Sequence, residues 1–115
     1  MGALNMVFCT HEQTLANSEL VLTMLRIHRR ASEFAMAHRD EMVNVTVQRL
    51  GAQRAAVEAA VGNVELTWRM DETLMRQARL YAQHMLALRQ IRALPDFEAF
   101  FKPRFNDQIA AEPAS

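Results

Sequence analysis

Apolar residues recur at intervals of three and four from Leu20 through Met24, Ile27, Ala31, Phe34 and Ala35. That spacing lines up side chains on one face of an α-helix. Glu19, Arg26, Arg29, Arg30 and Glu33 lie mostly off the stripe. The pattern predicts a helix over 18–37 with the stripe as its core face, opened by Asn17 or Ser18 as cap. A second stripe runs through Leu74, Ala78, Tyr81, Ala82, Met85, Leu88 and Ile91, and predicts a long helix over 71–91 capped by Asp71. Between them, His38 is placed to open a helix with Asp40 and Glu41 in its first turn, where the helix dipole favours acids. Met42, Val43, Thr46, Val47 and Leu50 form its apolar face, and Gly51 follows as a stop. A small alanine-rich helix over 52–61 is expected to end at Gly62-Asn63, a second left-handed stop.

Elsewhere the period changes. Leu4 to Cys9 is apolar apart from Asn5, as in a strand buried on both faces. Val64, Leu66, Trp68 and Met70 alternate with polar residues, which predicts a short extended segment. Thr10 and Gln13 have the capping-box spacing and predict a helical turn through Leu15. Near the end, Leu94-Pro95-Asp96 restarts a turn, Phe97, Phe100 and Phe101 crowd a short helical piece, Pro103 stops it, and 106–111 form a last turn. The expected class is mainly α with one or two short strands. A strand needs a neighbour for its backbone groups, and this chain offers one other weak candidate. The pattern therefore reads as the last part of a larger α/β fold.

The chain has 115 residues, half of them hydrophobic, with 13 basic and 13 acidic side chains. That is room for one modest core, and the charge balance gives no support to nucleic-acid binding. The one cysteine, Cys9, excludes an internal disulfide, and its apolar surroundings predict a buried, inert thiol. No stretch is long and apolar enough for a transmembrane helix. The N-terminus lacks the basic region of a signal peptide.

Candidate chemistry is sparse. His11, His28, His38 and His84 contain no pair spaced for a helical metal site, and read as surface or boundary residues. Asp40-Glu41 and Asp71-Glu72 are explained by capping and the helix dipole. Arg26, Arg29 and Arg30 read as a solvated face with Glu19 and Glu33 as partners one turn away. Trp68, Tyr81 and the phenylalanines read as core. No catalytic residue, metal or cofactor is expected. The residues nearest a ligand would be those leaving the first strand, Thr10, His11 and Glu12, because open α/β sheets bind ligands beyond the carboxyl ends of their strands. As a structural residue, Thr10 is a cap.

The order of these signals resembles the C-terminal region of the nitrate/sulfonate/taurine-type periplasmic solute-binding proteins of ABC importers, a family that includes thiamine-precursor-binding proteins. The residues that carry the resemblance begin with Val7-Phe8-Cys9-Thr10, Glu12 and Leu15, followed by Asn17-Ser18-Glu19-Leu20-Val21. Next come Ala37 to Met42, Arg49-Leu50-Gly51, Val64 to Met70, Asp71 to Ile91, and Pro95-Asp96-Phe97 through Phe105. Ser18 and Arg39 stand where that family usually has proline.

The resemblance implies a partial domain over 1–115 of a two-lobed α/β (type II) binding-protein fold. Residues 1–10 would be a strand returning from the hinge and 11–111 a helical part. The whole protein would be periplasmic and would bind a small oxyanion, sulfonate or heterocyclic precursor for an ABC permease, without bond chemistry. The alternative is a free-standing helical interaction module in which the isolated chain forms a homodimer, pairing through Leu4 to Cys9.

Overall fold

Six α-helices and one 3-10 turn account for the regular structure of the computed structural model, which describes residues 6–113. After the turn Glu12–Ala16, the helices are α1 (Ser18–Ala37), α2 (Arg39–Leu50), α3 (Arg54–Val61), α4 (Glu72–Ala87), α5 (Phe97–Phe100) and α6 (Pro103–Ala111). The class is mainly α, and there is no strand among the described residues.

Both expected strands are corrected. Leu4 and Asn5 lie outside the described residues, while Met6 to Cys9 are irregular and exposed. Residues 64–70 have no regular secondary structure. Local β-pattern yields a ladder only where a neighbouring chain segment accepts its backbone bonds, and none does here. Cys9, expected to be buried with the strand, is exposed.

The helix ends follow local chemistry. The Asn17 Oδ1 accepts from the Leu20 amide at 3.1 Å and opens α1. Asp71 caps α4 through Leu74 N at 2.9 Å, and Asp96 caps α5 through Ala99 N at 3.2 Å. Pro103 takes the first turn of α6, where its missing N–H costs nothing. Gly51 ends α2 in the left-handed conformation, at φ 63°.

Three expected terminations differ. His11, not Thr10, occupies the cap position of the 3-10 turn, and no side chain caps it. Gly62 is right-handed, at φ −61°; the chain leaves α3 through Asn63 N to Ala60 O and Val64 N to Val61 O. Helix α4 stops at Ala87 rather than 91. Arg89 turns left-handed there, and Gln90 N to Met85 O (2.8 Å) with Arg89 N to Leu86 O (3.0 Å) close the end.

The described residues fall into two compact units, 6–25 with 69–113 and 26–68, and α1 continues from the first into the second. In the first unit Leu22, Ala78, Ala82, Phe105 and Ile109 are buried, and Ile109 is the most enclosed at 1% exposure. In the second, α2 packs on α3, each contributing one buried valine, Val43 and Val57. Arg39 binds the end of α3 through Nη1, which donates to Val61 O at 2.6 Å and Val64 O at 3.3 Å. Trp68, buried in the same unit, donates Nε1–H to Glu33 Oε1 at 3.1 Å.

Candidate protein-docking surface

Five of the six residues expected to form the core face of α1 are exposed instead, and the sixth, Ala35, is half-buried. Leu20 is 46% exposed, Met24 40%, Ile27 55% and Phe34 53%, and Ala31 between them is exposed. The covered side of α1 instead carries Leu22 and Ser32, both buried, with Val21, Leu25, Ala35 and Met36 half-buried. No buried side-chain nitrogen or oxygen among the described residues lacks a partner. Apolar residues on both arcs of one helix leave periodicity unable to say which arc is covered.

Sequence and packing together hold the outer face in place. Arg29 Nε pairs with Glu33 Oε1 at 3.2 Å one turn along α1, as the pattern of charges predicted. The Arg29 side chain is not solvated, however. Its guanidinium lies 4.6 Å from the centroid of the Trp68 ring. Glu33 thus holds both Arg29 and the Trp68 indole, tying the segment that carries Trp68 to α1. Leu66 N adds a contact to Met36 Sδ at 3.3 Å. Sequence reasoning placed Trp68 correctly as a core residue but missed Arg39 and Glu33 as the polar anchors. No spacing rule links residues 22 or 35 positions apart.

At the C-terminal end of the stripe, His38 stacks on Phe34 with ring centroids 4.2 Å apart. Its Nδ1 lies 3.0 Å from Phe34 O. His38 stands at the N-cap position of α2, as predicted, yet its imidazole turns back to α1 instead of capping. Ile27, Ala31, Phe34 and His38 border a shallow depression, with Arg30 and Glu33 at its edge. An apolar floor, one aromatic anchor and a charged rim suit docking of a helix more than capture of a small solute, which needs walls on most sides.

Thr10, His11 and Glu12 are all exposed. Thr10 lies in irregular chain, His11 at the N-cap of the 3-10 turn and Glu12 at its first residue. None of them lines the depression on α1. His11, His38 and His84 are exposed and His28 half-buried. Among the described residues no three His, Cys, Asp or Glu side chains are grouped to hold a metal. No helix there is long and apolar enough to cross a membrane.

Comparison with protein-family models, curated proteins and solved structures finds no match to this chain.

Proposed function

We propose that this chain is a helical interaction module whose outer α1 face receives an amphipathic helix. The observation that carries the reading is the exposed series Ile27, Ala31 and Phe34 in the second unit, with His38 stacked on Phe34. Along the sequence Leu20 and Met24 precede it, and the intervals of four, three, four and three are those of a coiled-coil seam, where each apolar side chain drops between residues of a facing helix. Completing the burial of four half-exposed large side chains is worth roughly 1 kcal/mol each. A facing helix gains a similar amount from its own residues. Against the cost of association this leaves a weak and reversible contact.

The importer reading, with Thr10, His11 and Glu12 at the ligand, rests on the order of sequence phrases alone. No feature of α1 or of the loops favours it over docking.

The test is fluorescence anisotropy with a labelled amphipathic peptide of about 21 residues, three heptads, carrying leucine at the same alternating intervals and glutamine on both flanks. Wild type should bind it saturably. The double variant Ile27→Glu/Ala31→Lys keeps net charge and places a favourable pair one turn apart. It should lose binding while its thermal melt stays within about 2 °C of wild type. Equal binding by both proteins, or none by wild type, refutes the reading.

A further inference from the structure

We infer that the helix received on α1 carries a carboxylate that meets Arg30, and so belongs to an acidic-flanked partner rather than to a second copy of this chain. The inference rests on the docking reading and adds the partner's chemistry. Arg30 is exposed and stands at the edge of the depression beside Ile27, Ala31 and Phe34. It has no ion pair or hydrogen bond among the described residues. The other charged group there, Glu33, is already engaged by Arg29 and by the Trp68 indole. The His38 Nδ1 is satisfied by Phe34 O. The free charge of the rim is therefore positive.

A second copy of α1 cannot answer it. The carboxylates flanking the stripe are Glu19 and Glu33, and both already have partners within their own chain. Antiparallel overlap of two stripes sets Arg30 beside residues 21–24 of the copy, all uncharged. Parallel overlap sets it near His28 and Ala35. An incoming helix with Glu or Asp beside its apolar seam satisfies Arg30, whereas one with Lys or Arg meets repulsion at close range.

The experiment uses the full chain and three labelled peptides that share one leucine seam and differ only in glutamine, glutamate or lysine flanks. At low salt the glutamate peptide should bind wild type about tenfold more tightly than the lysine peptide, a rim-charge effect doubled by the sign change. The preference should shrink as salt is raised. Arg30→Glu should invert it, while Arg92→Glu, which changes net charge equally at an exposed position off α1, should leave it in place. If wild type binds the glutamate and lysine peptides alike, or Arg30→Glu leaves the preference unmoved, the acidic-partner inference is overturned while docking stands on the glutamine peptide. If no peptide binds, docking itself fails. Sedimentation of wild type supplies a further check. A dimer abolished by Ile27→Glu/Ala31→Lys would make a second copy the occupant and overturn the inference.

Discussion

Three helix ends provide a quantitative test of the backbone. Arg89 follows α4 at φ 59° and Gly51 follows α2 at φ 63°, whereas Gly62 follows α3 at φ −61°. A side chain in the left-handed region costs about 1–2 kcal/mol, from Cβ against the following carbonyl. Glycine escapes that cost but loses about 0.5–1 kcal/mol more backbone freedom on folding. The difference predicts that Arg89→Gly stabilises by about 0.5–1 kcal/mol. The Arg89 side chain is exposed and has no partner among the described residues, so its removal forfeits no contact. Gly51→Ala should cost a similar amount for the mirrored reason. A Cβ built there meets nothing within 4 Å, so the cost is conformational alone. Gly62→Ala should stabilise, by about 0.4–1 kcal/mol, because a right-handed φ suits alanine and the site is equally open.

The assay is far-UV circular dichroism through thermal melts of the three variants with Arg89→Ala as control. For a chain of this size 1 kcal/mol moves Tm by roughly 3–6 °C. Arg89→Gly and Gly62→Ala should rise by about 2–5 °C and Gly51→Ala fall by about as much, while Arg89→Ala should stay near wild type. A melt of Arg89→Gly no higher than that of Arg89→Ala would refute a left-handed Arg89. A drop for Gly62→Ala would restore the left-handed stop that the sequence suggested.

Two further outcomes follow from the packing. Glu33→Ala should destabilise by about 1–2 kcal/mol and red-shift the emission of Trp68, the only tryptophan, because the indole loses its acceptor and Arg29 its partner. Glu33→Gln, which keeps an acceptor oxygen, should lose less than half as much, and equal losses would sink the hydrogen-bond account. Ile109→Ala should cost about 2–5 kcal/mol in urea titrations, whereas Ile27→Ala should cost under about 1 kcal/mol. The reverse order would show that the α1 stripe is the covered face after all.

Helix positions were largely legible in the sequence, because their signals are local. Asn17, Asp71 and Asp96 are caps whose acceptors reach an amide three residues on, and any sequence shows that spacing. Gly51 is readable for the same reason. Arg89 is not, since arginine carries no preference for a left-handed turn. The end of α4 is set by the paired hydrogen bonds to Met85 and Leu86. Strands are non-local by nature. Val64 to Met70 alternate well enough, but Trp68 goes to Glu33 and Leu66 to Met36, so the segment is anchored to a helix by side chains rather than to a strand by its backbone. Arg39 binding Val61 and Val64 is invisible for the same reason.

The candidate site was legible in outline and assigned the wrong role. Leu20, Met24, Ile27, Ala31 and Phe34 stand out in the sequence because their spacing is regular, and regular apolar spacing is normally the signature of a core face. Yet α1 also carries Val21, Leu22, Leu25 and Met36, a less regular set interrupted by His28 and Ser32, and it is this set, with Ala35 of the expected stripe, that is covered. An intramolecular core tolerates interruption, because neighbours of varied shape fill around each residue. A face that receives one straight helix has no such freedom. Its apolar residues must recur at the interval at which two helices meet. The greater regularity of the exposed arc is what an external helical partner would require, and the unanswered charge of Arg30 beside it gives that partner a sign.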